Sequence, residues 1–140
     1  MKEVLNGFKD WLKTQYGCPV IIEPQRQDLK EPRWRLTLGG VSKQGEKRRV
    51  LTITGTIQAD GGDPNMTSPL LSLIEKNAEL EITEKAFEFP YTLPGGVYKA
   101  KASFTSSGEG GWTENDEEAN YPFSYMEQYR ISLSYNPDYK

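Results

Sequence analysis

The chain has 140 residues, 36% of them hydrophobic and 26% charged, with a formal net charge of -3. That is enough apolar material for one domain with one core, burying about two-thirds of its unfolded surface, and too little for two; so small a net charge carries no general attraction to nucleic acid or anionic membrane, and binding to either needs a local patch. Histidine is absent and Cys18 is the sole cysteine, which excludes imidazole triads and dyads, an intrachain disulfide and a thiolate zinc cage.

Val4, Leu5, Phe8, Trp11, Leu12 and Tyr16 follow the i, i+3, i+4 spacing of one helical face, with Lys2, Asn6, Lys9, Asp10 and Lys13 on the other. The spacing predicts an amphipathic helix of about four turns, stopped by Gly17 and Pro19. Its interspersed charges set it apart from a signal peptide or membrane anchor, and no later stretch approaches the roughly 18 apolar residues of a membrane span. A soluble protein in a reducing compartment is expected, with Cys18 a buried, inert thiol.

"PVIIEP" lies between two prolines and suits a brief edge strand, and the polar "QRQDLKEP" reads as a loop. In "RWRLTL" the even positions Trp34, Leu36 and Leu38 are apolar; in "VLTITGTI" the odd positions Leu51, Ile53 and Ile57 are. Joined by the glycine-bearing "GGVSKQGEKRR", they are expected to pair antiparallel with one face buried. "QADGGDPNMTSP" ends the second strand and opens a helix of about three turns, with Thr67 or Ser68 as cap, Pro69 in the first turn, and Leu70, Leu71, Leu73, Ile74 and Ala78 as its apolar face. Residues 79–92, "ELEITEKAFEFPYT", read as irregular extended structure because Pro90 interrupts the alternation. "LPGG" is a turn. Tyr98, Ala100, Ala102 and Phe104 then mark one face of a strand, with Lys99 and Lys101 opposite, and "SSGEGGWTENDEEAN" returns the chain to its last long stretch.

That stretch, "YPFSYMEQYRISLSY", places Tyr121, Phe123, Tyr125, Tyr129, Ile131, Leu133 and Tyr135 on odd positions, with Glu127 as the one break. Such a period-two run is a β-strand. Extended, it would span roughly 50 Å, whereas a domain of this length is about 40 Å across. Either a neighbouring molecule covers part of its apolar face, or a bulge or bend near Met126 to Gln128 splits it into two ordinary strands. The element order predicts an α+β fold over residues 1–140 as a single domain. In it an antiparallel sheet of two hairpins carries the N-terminal amphipathic helix and the short second helix on one face.

Two charged clusters stand out. Glu109, Glu114, Asp116, Glu117 and Glu118 share a loop, and no basic residue occurs from Ala102 to Tyr129. Carboxylate catalysis needs two acids held at fixed separation, which a glycine-rich loop does poorly, so the loop reads as solvated or partner-facing. Lys43, Lys47, Arg48 and Arg49 form a basic cluster at the first hairpin, extended by Arg33 and Arg35, and fit a solvated tip, an acidic protein partner or phosphates. Two copies of the chain could match these loops head to tail. "DGGDPN" at 60–65 lacks EF-hand spacing, and the glycine pairs at 39, 61, 95 and 110 read as turn residues without a phosphate cradle. No catalytic, cofactor or metal site is expected.

In size and order the chain resembles the tail-terminator, or tail-completion, proteins of long-tailed bacteriophages. The parts that match are "VLNGFKDWLKTQY", "RWRLTLGG" to "VLTITGTIQ", "PLLSLIEK", and "YKAKASF" returning through "GWTENDEEAN" to "YRISLSYN". The resemblance implies a non-enzymatic virion component, located at the head-proximal end of the tail and in the host cytoplasm during assembly. It would form a homomeric ring, usually of six copies, that caps the tail tube and joins it to the head connector or neck protein, with DNA only passing through its channel and no membrane contact. The interface elements would then be the basic hairpin loop (Lys43, Lys47, Arg48, Arg49), the acidic loop (Glu109, Glu114, Asp116, Glu117, Glu118) and the strand residues Tyr121, Phe123 and Tyr125. The rival readings are a small monomeric inhibitor or immunity-type module that uses the acidic loop, and a carboxylate hydrolase.

Overall fold

The structure, a computed structural model, describes residues 2–23, 32–60, 64–107, 111–114 and 123–136, with the backbone alone for residues 60, 64–69, 112–114 and 123–124. The apolar stripe of the first helix folds as α1, Lys2–Tyr16, with Val4, Leu5, Phe8, Leu12 and Tyr16 buried. Gly17 caps it in the left-handed region, its N–H donating to the Lys13 carbonyl at 2.8 Å. Cys18 is buried, and loss of hydration pushes its thiol up to about 11.

Seven strands form one sheet: β1 Val20–Ile22, β2 Arg33–Gln44, β3 Arg48–Asp60, β4 Phe87–Leu93, β5 Gly96–Ser106, β6 Gly111–Glu114 and β7 Phe123–Tyr135. Their order is β1-β2-β3-β7-β5-β4, and β6 pairs with β7 beside β5. The α+β class holds, but the sheet is mixed where a purely antiparallel one was expected, because β1 runs parallel to β2. The proline-bounded β1 is an edge strand as its sequence suggests. Pro90 likewise lies in an edge strand, β4, which is regular and paired with β5, so the irregular reading of 79–92 holds for 81–86 but is corrected at 79–80, the end of the second helix, and at 87–92; an edge position tolerates a residue that cannot donate to the ladder.

The hairpin "GGVSKQGEKRR" is mostly strand. β2 and β3 stay paired out to Gln44 and Arg48, with a register shift between Leu38 and Val41 at Gly39 and Gly40. The second helix, α2, spans Pro64–Leu80, 17 residues or nearly five turns. Pro64 fills the first-turn place that the sequence reading gave to Pro69. On α2, Leu70 and Leu73 are buried as expected, while Leu71 faces solvent and Asn77 is buried.

β7 is the centre of the sheet. One side pairs with β3 in unbroken register from Ser124 to Tyr135, which removes the bulge or bend near Met126 to Gln128. The other side pairs with β5 and then β6. Both helices lie on the sheet face that carries Tyr129, Ile131 and Leu133. There Phe104 packs among Phe8, Phe87, Trp34 and Tyr129, with centroids 6.0–6.4 Å apart. Trp34 crosses over Gly55, where a Cβ would come 3.0 Å from its ring and 2.5 Å from Ile131, so the strand glycine marks a close approach. Thr54, Ser103, Thr105 and Arg130 lie exposed on the opposite face.

Candidate interaction surface

Three features could carry a function: a basic groove, an exposed hairpin arm at the sheet edge and a buried tyrosine network. The groove lies at the carboxyl end of β7. β3 pairs with β7 out to Tyr135 and β5 only to Ser134, so the flanking strands part there and leave a groove of about 370 Å³. Lys47 and Arg48 line it from the β2–β3 end, Lys99 and Lys101 from β5, and Ser134 and Asn136 from β7. Lys99 approaches Glu88 at 3.8 Å, both exposed, a pair worth little in water. Among the described residues no carboxylate lies within ion-pair distance of Lys47, Arg48 or Lys101. Four cations thus share one groove, with Glu88 exposed beside Lys99 and Glu46 exposed in the turn next to Lys47.

The structure therefore divides the basic cluster read from the sequence. Lys47 and Arg48 join the groove. Lys43 and Arg49 sit directly opposite each other on the arm, an unfavourable like-charge pair unless an anion neutralises it, and Arg49 donates to the Arg48 carbonyl at 3.1 Å. Arg33 and Arg35 do not extend the cluster, being at the other end of β2. Arg33 is buried, and Arg35 is held by Glu23 at 2.9 Å through Nε and by the Gln58 side chain. Lys99 and Lys101 are not joined to the cluster by the sequence because it is the topology, not the spacing, that sets β5 across β7 from the start of β3.

The arm is the distal part of the β2–β3 hairpin. β1 covers the edge of β2 only from Trp34 to Leu36, and every β2 residue from Thr37 to Gln44 is exposed. Leu38 and Val41, 40% and 48% exposed, belong to the helix-side face but lie beyond the helices. A strand edge that no described residue pairs with, carrying apolar side chains, is a ready pairing surface.

The network ties both helices to the sheet. Tyr16 of α1 donates to Asn77 Oδ1, Asn77 Nδ2 on α2 donates to the Tyr129 hydroxyl at 3.0 Å, and Tyr129 donates to Glu127 Oε1. Tyr125 donates to Glu127 Oε2 at 3.0 Å. Burial, then the Glu127 charge and its hydrogen bond, push the Tyr125 phenol up to about 12. Burial also raises Tyr129, with the Glu127 hydrogen bond and charge adding to it, and raises Tyr16. Each polar group is consumed by a partner, so the network serves as a structural tie between layers.

Of the expected strand contacts, Tyr125 is buried by its own chain, 7% exposed. It stands between Ala59 of β3 and Trp112 of β6 in the sheet, and its hydroxyl donates to Glu127. Phe123 pairs with Glu114 at the start of β7, and Tyr121, Glu109, Asp116, Glu117 and Glu118 lie outside the described residues, as do Asp63 and the glycines at 61 and 110. Among the described residues, no helix is long and apolar enough to cross a membrane, and no three His, Cys, Asp or Glu side chains are grouped to hold a metal. Comparison with known protein families and with curated proteins finds no match in either.

Proposed function

We propose that the chain is a structural assembly protein of the tail-terminator kind. In this reading copies of it close into a ring at the head-proximal end of a phage or phage-like tail, cap the tube and offer a surface to the head connector. The observation that carries the reading is the arm: eight exposed β2 residues, Thr37 to Gln44, along an edge that no strand among the described residues covers, with Leu38 and Val41 presented to solvent. In a head-to-tail ring each subunit offers two different patches, and closure leaves no copy with an open edge. The long β7 has a place in this scheme as the spine that holds the patches apart.

The test is electron microscopy and light scattering of the purified protein, alone and mixed with tail tubes. Rings, or added density confined to one tube end, are expected. A particle that stays monomeric alone and leaves both tube ends unchanged would overturn the reading.

A further inference from the structure

We propose that the groove of Lys47, Arg48, Lys99 and Lys101 is the receptor for the acidic segment 109–118 of a second copy of the chain. The inference rests on the ring reading and names the contact that would join its subunits. Charge is the first argument: the segment carries five acids and no base, and the groove gathers four cations against two flanking described acids, Glu88 and Glu46. Ser134 and Asn136 at its floor add hydrogen-bonding partners for carboxylates.

Distance is the second argument, and it makes the match intermolecular. Ser107 donates to the Gln128 carbonyl, and β6 is paired to β7 from Gly111↔Met126 to Glu114↔Phe123. The acidic segment is therefore tethered along the amino-terminal half of β7. Glu114 and Phe123 are paired neighbours in the sheet, and a span of eight residues between two such anchors cannot reach more than about 16 Å from them. From Phe123 to Ser134 along an extended strand is roughly 36 Å. A chain cannot fill its own groove. A second copy can, and since the groove and the segment occupy opposite ends of one strand, each copy that accepts a segment also offers one.

Nucleic acid is the less favoured occupant. Phosphate tracking wants a basic stripe along the surface, whereas the open sheet face beyond the groove carries Thr54, Ser103 and Thr105 with Arg130.

The experiment uses the full chain bearing Glu117→Lys and Glu118→Lys, whose own segment no longer competes, labelled for amide NMR and titrated with a synthetic peptide of residues 108–120. Saturable shifts are expected at Lys99, Lys101, Ser134 and Asn136, weakened at least about tenfold by Lys99→Glu with Lys101→Glu, two charge contacts of modest strength. The same shifts are expected to fade as salt rises. A peptide that leaves these amides unmoved, or a DNA duplex that moves them where the peptide does not, overturns the proposal. Charge exchange supplies the second line of test: the Lys99→Glu/Lys101→Glu chain and the Glu117→Lys/Glu118→Lys chain should each self-associate no more than wild type does at about 1 M salt, and should associate more strongly when mixed. A variant that alone associates as strongly as wild type at low salt defeats the groove while leaving the ring reading intact. Peptide binding at the groove without rings at any tube end defeats the ring reading instead.

Discussion

Glu127 shows how one residue is read differently once its neighbours are placed. In the sequence it is only a break in an apolar alternation. In the sheet it stands between Tyr125 and Tyr129 on the same face, and each phenol donates to one of its carboxylate oxygens. The pattern Tyr-x-Glu-x-Tyr held the signal, since period two puts all three side chains side by side; what it could not supply was Asn77, which arrives from α2. Replacing Tyr129 by Phe removes the hydroxyl that joins Asn77 to Glu127 and strands buried polar groups. Urea unfolding should show a loss of about 1–3 kcal/mol. The pH dependence has a definite sign. A phenol whose folded pKa is raised keeps its proton in the folded state where the unfolded chain has released it. Its contribution is therefore complete below pH 10 and is lost as pH rises toward the folded value, about 12 for Tyr125. Stability should fall above pH 10, and in Tyr129→Phe the fall should be shallower by up to about 1.4 kcal/mol per pH unit. An unchanged slope would remove Tyr129 from the network.

At the scale of elements, the packing of α1 on β4 turns on Gly7. A Cβ there would lie 2.4 Å from the Pro90 carbonyl oxygen and 2.9 Å from Tyr91 Cβ, so the helix crosses the strand where it has no side chain. By helix propensity alone, Gly7→Ala should stabilise by about 1 kcal/mol. Against this backbone the methyl has no room, because a strand carbonyl cannot swing aside as a flexible side chain does, and overpacking of this kind costs about 1–3 kcal/mol. Thermal unfolding should therefore place Gly7→Ala below the parent, with Asn6→Ala, at an exposed position, at or above it. A stabilised Gly7→Ala would mean that α1 can lift off β4. This contact was hidden in the sequence for the same reason that β4 was. The stripe from Val4 to Tyr16 identifies the buried face of α1 by itself, but Pro90 is compatible with a strand only at an edge, and edge status is a property of the assembled sheet. The parallel pairing of β1 was hidden likewise, since three residues between prolines do not say which way they run. β5, alternating from Tyr98 to Phe104, and β7, alternating with Glu127 as its one break, were legible almost to their ends.

For the whole molecule, the two proposed contacts differ in physical kind, and that difference can be measured. The arm offers apolar Leu38 and Val41 beside a free backbone edge; the groove offers charge. Apolar burial and backbone pairing survive added salt, whereas contacts between solvent-exposed charges shrink as the screening length falls from about 10 Å at 0.1 M to about 3 Å at 1 M. Association of wild-type copies, followed by sedimentation, should weaken with salt and level off at the part that the arm supplies. Leu38→Lys with Val41→Lys places charge where those side chains are already exposed, so monomer stability should change by no more than about 0.5 kcal/mol. Lysine on a strand edge also opposes pairing with another chain. In that variant association should fall at every salt concentration and vanish at 1 M, where the screened groove no longer holds copies together. If the double lysine variant associates as well as the parent at high salt, the arm is not an interface, and the long hairpin needs another purpose.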